Sequence, residues 1–549
     1  MNTVQWINFT DLPRSEGGFS QLFRDYINDY HKVEHYFETD FHSFDALRKY
    51  AHRLSQRIRH RSTLVEVLLE QNQLYGVGED SVRNIQSLSD DNTFAVVTGQ
   101  QVGMLGGPLY TIYKTITTIK LAKHLATIYP EYKFVPIFWL EGEDHDFDEV
   151  NKVGLLNTDH IPTMIEYFPD GKPTTKNLGA VGEIKFDDFL NVFLDNLHKT
   201  LGNSEFRQPL SDIIKSAYSA GATFNQAFAS LMNKFFDGEG LVFISSNDKR
   251  LKQLLTPIFI KELSEFPRVS QLIIEQSAEL EENYHAQIKT KALNLFHFFK
   301  SGRYFIEPRE NDFSLKGIRH QLTKDELLHM ATETPELLSP NVALRPICQD
   351  MILPTLIYVA GPSEVAYFAQ LKKIYQYFDL TMPMIYPRAS VTLIEEKLER
   401  MLDKYQIELI ESFGDTRKID QKVIDMVSEV KIDEMFNEAA QRIADLTNEM
   451  KFGINYIDST LLGSLENTHS KIDQQLSSLK DKVTEAQKRK HEVGLRQIAK
   501  VINSIFPNKN YQERELNILH FMNKHGLDLV QSLQSEISID QFKHQVIRI

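Results

Sequence analysis

The chain has only one cysteine in 549 residues, Cys348, which excludes an internal disulfide and a cysteine-rich zinc module. No run of about 18 apolar residues occurs, so the sequence predicts no membrane-spanning helix. The first residues, MNTVQWINFTDLPRSEGG, lack the basic segment and following apolar stretch of a signal peptide. We therefore expect a cytoplasmic protein that spans no membrane.

Positive charge is also scarce, because the formal net charge is −14 at pH 7. Nucleic-acid phosphates bind to a positive field, so this balance argues against a nucleic-acid partner. Hydrophobic residues make up 42% of the chain, which is ordinary for a protein with a buried core. The length predicts about two to four structural units.

The first part of the chain predicts helices followed by a βαβ unit. Residues 17 to 90 have apolar residues three and four apart, as helices do. Thr93–Val97 is a β-branched run before a glycine-rich turn, Leu109–Ala126 has a helical period, and Phe134–Leu140 predicts a second strand. This order predicts a parallel sheet. Further core strands are predicted at 241–245, at 356–360 and in PMIYP.

The region after about residue 391 lacks proline for over a hundred residues and is rich in Glu, Lys, Gln and Leu. Apolar residues recur there every seven positions, which predicts a coiled coil or a helical hairpin. Those residues are Leu465, Ile472, Leu479, Ala486 and Val493. For the helices before residue 452, packing on the protein's own core is an equal alternative.

Three polar loops follow predicted strands: TGQQVGMLGGPLY, EGEDHDFDE and GPSEVAY. In an open parallel sheet, ligands bind outside the carboxyl ends of the strands, where such loops meet. The first loop offers Gln100, Gln101 and a helix start, which suit an anion, and Lys114 follows one turn into the helix. It matches neither GxGxxG nor a Walker A motif, and a simple tight turn is the alternative.

The second loop packs six carboxylates and one imidazole into nine residues directly after the apolar run FVPIFWL. Asp144, His145, Asp146 and Asp148 could ligate a magnesium ion. Alternatively, Glu143, Asp144 and His145 bind a substrate ammonium group, and the imidazole serves as a general base. A solvated acidic loop is the interpretation without a function.

The third loop and the segment before it contain a further polar group: Arg345, Asp350, Gly361, Pro362, Glu364 and Tyr367. An arginine at this place suits bidentate recognition of a carboxylate or a phosphate. Glu364 stands at a predicted helix start, where capping explains it without a function. Cys348 has no base near it in the sequence, and we interpret it as a small packed residue.

Five segments, in this order, resemble the BshC family of bacillithiol biosynthesis over essentially the whole chain. They are TGQQVGMLGGPLYTIYKT, FVPIFWLEGEDHDFDEVNKV, SPNVALRPICQDMILPTLIYVAGPSEVAYFAQLK, MPMIYPRAS and PNKNYQERELNILHF. The resemblance implies an α/β protein with a Rossmann-like parallel-sheet core, inserted connecting-peptide-type subdomains and an α-helical coiled-coil domain. It also implies a homodimer that forms through the coiled coil.

The resemblance and the composition together divide the chain into four parts. Residues 1–90 form an N-terminal helical region that packs on the core, and residues 91–390 form the core. The core carries insertions near 155–235 and 285–335. Residues 391–506 form the coiled coil, and residues 507–549 form a tail that returns to the core.

The activity that the resemblance implies is a ligase reaction. It joins the carboxylate of L-cysteine to the amine of glucosaminyl-malate, with ATP as the expected cofactor and Mg²⁺ as an optional one. The HIGH and KMSKS signatures that serve adenylation in class I aminoacyl-tRNA synthetases are absent from the sequence. Phosphoryl activation therefore stays open beside adenylation.

Within this hypothesis the catalytic residues are Glu143, Asp144, His145 and Asp148, with His145 as the candidate base. The activated carboxylate or phosphate is held by Thr98, Gln100, Gln101, Gly107, Tyr110 and Lys114. The malate carboxylates are held by Arg345 or Arg388, and Gly361 and Glu364 complete the substrate site. No residue is assigned to a metal. Two other hypotheses are a non-catalytic coiled-coil scaffold with a degenerate nucleotide-binding core and a metal-dependent hydrolase that uses the acidic loop.

Overall fold

The computed structural model of the chain describes residues 1–13, 19–56, 60–310, 312–428 and 430–549. The helices predicted between residues 17 and 90 therefore fall partly outside the described residues, at 17–18 and 57–59. By its internal contacts the chain divides into two compact units. One unit comprises Met1–Leu393 and Pro507–Ile549, and the other comprises Ile394–Phe506.

The strands are numbered along the chain. They are β1 (Asn2–Ile7), β2 (Thr93–Gln101), β3 (Lys133–Glu141), β4 (Lys152–Leu156), β5 (Pro162–Glu166), β6 (Val242–Ser245), β7 (Leu295–Phe299), β8 (Gly302–Arg309), β9 (Asp312–Leu315), β10 (Gln321–Leu322), β11 (Leu338–Pro340), β12 (Thr355–Ala360), β13 (Met384–Pro387), β14 (Ser390–Ile394) and β15 (His544–Arg548).

The core of the first unit is a five-stranded sheet in the order β13–β12–β2–β3–β6, and every neighbouring pair in it is parallel. This confirms the predicted α/β class with a parallel sheet. The strands are nearly continuous apolar runs because both faces of a parallel sheet are covered. From β2 the chain passes to β3 on one side, whereas β12 connects to β13 on the other. The order therefore reverses between β2 and β12, where open α/β sheets bind their ligands.

The end of β2 differs from the prediction. The sequence placed a strand at Thr93–Val97 and a glycine-rich turn after it, but β2 continues to Gln101. The reason is the partner strand, since Thr98 to Gln101 stay in register with Phe138 to Glu141 of β3. Gln100 and Gln101 are therefore the last two residues of the central strand, at its carboxyl end, and the turn begins after them.

A second five-stranded sheet lies in the region of the predicted 285–335 insertion. Its order is β10–β9–β8–β7–β11, and all of its pairs are antiparallel. β4 and β5 form an antiparallel hairpin, and β1, β15 and β14 form a three-stranded sheet. The strand β1 was not predicted, since residues 1–90 were expected to form a helical region. Its partner β15 is almost the whole chain away, so no local pattern reveals the pairing.

The helices of the first unit surround these sheets. They are Gln21–Asn28, Leu47–Ser55, Arg61–Tyr75, Glu79–Ser87, Leu109–Ile128, Phe147–Val150, Phe189–Leu201, Arg207–Ala217, Phe224–Phe235, Lys249–Leu254, Thr256–Ser264, Arg268–Glu281, Lys324–Glu333, Arg345–Ile352, Pro362–Phe368, Lys372–Tyr377, Gln512–Glu515, Ile518–His525 and Leu529–Glu536. Leu109–Ile128 connects β2 to β3 and is buried over its first two-thirds, whereas its last turns are exposed.

The second unit is helical. Its helices are Glu396–Lys404, Thr416–Val427, Ile432–Ile457, Leu462–Lys490 and Glu492–Ile505. The two long helices, Ile432–Ile457 and Leu462–Lys490, form an antiparallel hairpin. Ion pairs join them near both ends, from Lys480 to Asp433 at 2.6 Å and from Lys451 to Glu466 at 3.6 Å. No helix in the described part of the chain is long and apolar enough to cross a membrane.

Candidate active site

A cavity of about 600 Å³, the main cavity, lies where β2 and β3 end. The core contributes the end of each strand and the segment after β3, and the antiparallel sheet contributes β7 and β8. Its lining residues are Gln101, Glu141, Asp144, His145, Asn177, Lys289, Lys291, Phe296, Arg303, Tyr304, Phe305, Lys316, Pro340, Asn341, Val342 and Arg345. The size is typical of a small-molecule site. Of the sequence-predicted residues, it brings together Gln101, Asp144, His145 and Arg345.

The acidic segment after β3 is fixed by its backbone. The carbonyl of Asp144 accepts a hydrogen bond from the Val181 amide, and the carbonyl of Gly142 accepts one from the Gly182 amide, both at 2.8 Å. A side chain at position 142 would collide with Asn225. These contacts hold the segment open toward the cavity, so that its side chains take defined directions.

Asp144, His145 and Arg303 form a charged cluster in the cavity wall. The Asp144 Oδ1 atom lies 3.3 Å from His145 Nδ1 and 3.2 Å from Arg303 Nη1. Gln101 Nε2 donates to the other carboxylate oxygen at 2.9 Å. Burial alone would raise the pKa of Asp144, but the hydrogen bonds from His145 and the charge of Arg303 hold it well below its ordinary value. Asp144 is therefore ionised at neutral pH.

His145 Nδ1 lies between two partners of opposite kind, since Asp144 Oδ1 and Arg303 Nη1 are each 3.3 Å away. A carboxylate only accepts and a guanidinium only donates, so Nδ1 carries a proton when it pairs with Asp144 and accepts one when it pairs with Arg303. In the form with the proton on Nδ1, Nε2 has a free lone pair, as a general base requires.

Arg303 is a site residue that the sequence analysis missed. Its guanidinium donates to Ser339 Oγ at 3.1 Å and to the Pro340 carbonyl at 2.8 Å, and it stacks on Phe296 with 3.8 Å between Cζ and the ring centre. A buried arginine held by this many contacts has a fixed direction. The available signal was an arginine directly after Gly302, at the start of the predicted strand-like segment RYFIE.

Glu141 and Arg345 form another part of the wall. Arg345 Nε lies 3.7 Å from Glu141 Oε2, which also accepts a hydrogen bond from Trp139 Nε1 at 3.1 Å. Arg345 donates to Gln349 Oε1 at 3.0 Å and to the Tyr367 hydroxyl at 3.1 Å. Burial raises the pKa of Glu141 above its ordinary value despite the opposing charge of Arg345. The charged form of this carboxylate would be stabilised by a hydrogen bond from a substrate amine or hydroxyl.

Glu143 corrects the prediction for the acidic loop, because it points into the core and does not line the cavity. Its carboxylate is buried against Lys252 Nζ at 2.8 Å and Ser246 Oγ at 2.6 Å. Burial would raise its pKa, but Lys252, Ser246 and Ser339 bring the pKa below the ordinary value. Glu143 is an internal ion-pair partner. Asp148 is also outside the cavity, since it is exposed on the helix Phe147–Val150.

Lys114 and Glu364 form a second cluster at the carboxyl ends of β2 and β12. Lys114 Nζ lies 2.6 Å from Glu364 Oε2, donates to the Gly99 carbonyl at 2.6 Å and reaches Gln100 Oε1 at 3.4 Å. The Gly361 amide donates to Glu364 at 2.6 Å, which is the predicted helix-capping contact. The ammonium group thus has three acceptors inside the protein, which corrects its assignment to a phosphate.

Arg388 is likewise held by the protein itself. Its guanidinium makes two hydrogen bonds to Glu513, at 2.6 and 3.1 Å, and both side chains are buried. Its Cζ lies 5.6 Å from the ring centre of Tyr110, whose hydroxyl accepts a hydrogen bond from Gln100 at 3.3 Å. This pairing corrects the assignment of Arg388 to the malate carboxylates. Glu513 was missed because it lies 125 residues away in the tail.

The remaining predicted residues of the first loop also have structural partners. Thr98 is buried and donates to the Val359 carbonyl at 3.0 Å, across β2 and β12. Gly107 has φ 72°, a left-handed conformation that favours glycine. The Leu109 amide at the helix start donates to the Leu516 carbonyl at 2.8 Å. The helix start and Lys114 therefore do not fit an ATP phosphate as they stand.

The side chains of the acidic loop are not positioned to share a metal ion. Across the described ranges, no group of three or more His, Cys, Asp and Glu side chains is arranged to hold a metal ion. The four predicted ligands of the acidic loop diverge, since Asp144 and His145 face the cavity whereas Asp146 and Asp148 are exposed. Cys348 is buried, as predicted, and burial raises the pKa of its thiol.

Comparison with known proteins gives the family. Residues 6–389 match the N-terminal Rossmann-like domain of bacillithiol biosynthesis BshC, and residues 391–549 match its C-terminal coiled-coil domain. The chain belongs to the BshC family. This confirms the resemblance, the Rossmann-like core and the coiled-coil domain. Two BshC relatives, from Salinibacter ruber and Chloroherpeton thalassium, are each 37% identical to it.

Both BshC relatives carry the name "Putative cysteine ligase BshC". The alignment covers 98% of this chain and 98% of the Salinibacter protein, and 97% and 98% for the Chloroherpeton protein. A solved structure with the name "putative arginyl t-RNA synthetase", from Campylobacter jejuni, aligns over 84% of this chain and 98% of its own. The identity is 11% and the TM-score is 0.22, which is too low to carry an argument.

Proposed function

We propose that the protein is an ATP-dependent cysteine ligase that joins the carboxylate of L-cysteine to the amine of glucosaminyl-malate. The observation that carries the proposal is the Asp144–His145–Arg303 cluster in the wall of the main cavity. The name of the BshC relatives supports the reaction class. Amide formation needs a deprotonated amine and an activated carboxylate, and the cluster serves the first requirement.

In this proposal His145 is the base and Asp144 is its positioning partner. The substrate amine lies in the cavity beside Glu141 and Asp144, which favour its binding as a cation. His145 Nε2 then takes one proton, and Asp144 stabilises the imidazolium that forms. Arg303 fixes the direction of the Asp144 carboxylate.

ATP supplies the activation of the cysteine carboxylate when it is bound. No residue of this chain is assigned to the ATP phosphates, because Lys114 and the helix start after β2 already have internal partners. Gln101, Glu141 and His145 line one cavity, so the amine would meet the activated carboxylate near the ends of β2 and β3.

The test is a reaction of the purified full chain with L-cysteine, glucosaminyl-malate and ATP, followed by mass spectrometry. We expect the amide product only when ATP is present. His145→Ala is expected to slow its formation by about 100-fold or more while leaving the thermal melt unchanged. The matched control is His329→Ala, at an exposed position of the helix Lys324–Glu333. Product formed without ATP, or an unimpaired His145→Ala variant, would refute the proposal.

We also propose that two copies pair through the coiled-coil unit. Of the predicted heptad residues, Ile472, Leu479 and Val493 are 41%, 52% and 73% exposed in the single chain. Apolar residues at heptad spacing are stabilised by a partner helix. Light scattering should give the mass of a dimer for the natural chain and of a monomer for Leu479→Glu. A monomeric natural chain would contradict this proposal.

A further inference from the structure

The main cavity carries two sets of charge from different parts of the chain. The carboxylates of Glu141 and Asp144 come from the end of β3 and the segment after it. Three lysines come from the antiparallel sheet region: Lys289 and Lys291 before β7, and Lys316 after β9. In a chain of net charge −14, a cavity lined by these three lysines as well as by Arg303 and Arg345 is a local exception to the overall charge.

The lysines have almost no charge partners of their own. Among the described residues, no carboxylate oxygen lies within 4.0 Å of Nζ of Lys289 or Lys291, and Lys316 reaches Glu307 only at 3.9 Å. The arginines of the same wall differ, since Arg303 and Arg345 are held by several internal acceptors. The lysines are therefore the cations that remain available to a ligand.

The backbone that carries Lys289 and Lys291 is fixed on both sides. The buried Gln370 side chain accepts hydrogen bonds from the amides of Gln287 and Ile288, both at 2.8 Å. Ser270 Oγ donates to the carbonyls of Lys291 and Ala292 at 2.6 and 2.8 Å. The segment is thus held in place while its two lysine side chains stay exposed, which lowers the entropic cost of binding.

We infer that Lys289, Lys291 and Lys316, the lysine rim, form an anion subsite of the main cavity. The identity of the ligand rests on the proposed function: the subsite binds the malate carboxylates of the amine substrate. A ligand with an amine at one end and carboxylates at the other pairs with both sets of charge in the cavity at once. Carboxylates and phosphates share this chemistry, so the test has an arm for each.

The experiment measures binding to the full chain by calorimetry and compares a triple variant with the natural protein. The variant is Lys289→Gln/Lys291→Gln/Lys316→Gln, and the probes are glucosaminyl-malate, methyl glucosaminide and ATP. We expect the Kd of glucosaminyl-malate to rise about 10- to 100-fold, as for the loss of charged hydrogen bonds. The Kd values of ATP and of methyl glucosaminide, which has the amine but no carboxylate, should change less than about twofold.

A matched control variant changes the net charge by the same amount elsewhere. Lys172→Gln/Lys199→Gln/Lys234→Gln alters three exposed lysines outside the main cavity, and it should bind all three probes like the natural protein. Unchanged glucosaminyl-malate binding in the rim variant, with product still formed, overturns the inference alone. If the rim variant loses affinity for ATP alone, the lysine rim binds phosphates and the inference about malate carboxylates is overturned. A natural protein that neither binds nor converts glucosaminyl-malate overturns the proposed function and the inference together.

Discussion

Glu143 and Asp144 are neighbours in the sequence, yet the structure places them in opposite environments. Glu143 is buried with Lys252 and Ser246 in the core, whereas Asp144 is about one-third exposed in the wall of the main cavity. Both carboxyls have pKa values below the ordinary range. The cause differs, since a buried lysine stabilises one charge and a histidine and an arginine beside the cavity stabilise the other.

The comparison teaches that a dense acidic loop need not be one site. Like charges in adjacent residues become tolerable when alternate side chains point to different cations. Lys252 lies on the helix Lys249–Leu254 and Arg303 lies on β8, so two separate segments of the chain divide the loop between them. One carboxylate then serves stability and the other is left to the cavity.

The largest effect on stability is expected from Lys252→Met, which leaves Glu143 buried without its cation. An uncompensated buried charge costs about 3–5 kcal/mol, so the free energy of unfolding should fall by that amount in urea denaturation. The double variant Glu143→Leu/Lys252→Met should recover most of the loss. Lys249→Met, on the same helix but with an exposed ammonium group paired to the half-buried Glu336, should cost less than about 1 kcal/mol. Equal losses for Lys249→Met and Lys252→Met would break the comparison.

An intermediate effect is expected at Glu262, a buried carboxyl without a cation. Oε1 accepts hydrogen bonds from the amide and side chain of Asn294, and Oε2 has no partner among the described residues. Burial raises its pKa from 4.5 to about 7. The native state then holds a proton that the unfolded chain releases, so stability falls as pH rises from about 4.5 to 7.

Glu262→Gln removes this dependence. The measured quantity is the unfolding free energy of the variant minus that of the natural protein. This difference should increase by up to about 3 kcal/mol as the pH rises from 4.5 to 8. A difference that stays constant across this pH range would show that Glu262 is ionised at both ends, like Glu143. That result would remove the contrast between buried acids with and without a cation.

The smallest effect on stability is expected from Asp144→Asn, since the side chain is partly exposed, keeps one acceptor for Arg303 and leaves the charges of Glu141 and Glu143 near the buried guanidinium. We expect a loss of about 1 kcal/mol in unfolding free energy. Amide formation should nevertheless slow by about 10- to 100-fold, because His145 loses the carboxylate that stabilises its protonated form. Asp148→Asn, at an exposed position of the same loop, should change neither quantity. A stability loss as large as that of Lys252→Met would show that Asp144, like Glu143, mainly stabilises the fold.

Much of the core could be predicted because its signals are local. The β-branched run at Thr93 and the apolar run at Phe134 predict strands, and the helical period between them predicts a parallel pair. The end of β2 could not be predicted, since Thr98 to Gln101 become strand only through their register with β3. The strand β1 was missed for the same reason, because its partner is β15.

The sequence predicted the approximate position of the candidate site but not all of the residues that form it. His145, Asp144, Gln101 and Arg345 meet there because parallel strands end at one edge of the sheet. Lys114 and Arg388 had the right charge for a ligand but are neutralised inside the protein. Charge is visible in a sequence, whereas the partner that neutralises it is a matter of distance in space.

The sequence by itself determined the family, the alternation of strands and helices in the core, and the edge of the sheet at which polar residues collect. These properties follow from local periodicity and from motifs that are contiguous in the chain. Only the tertiary structure decided which acid faces the cavity and that Arg303 and three lysines complete the cavity wall. It also decided that Arg388 forms a buried ion pair with Glu513. The physical reason is that Coulomb and hydrogen-bond energies depend on distances of a few ångströms between segments that lie more than a hundred residues apart.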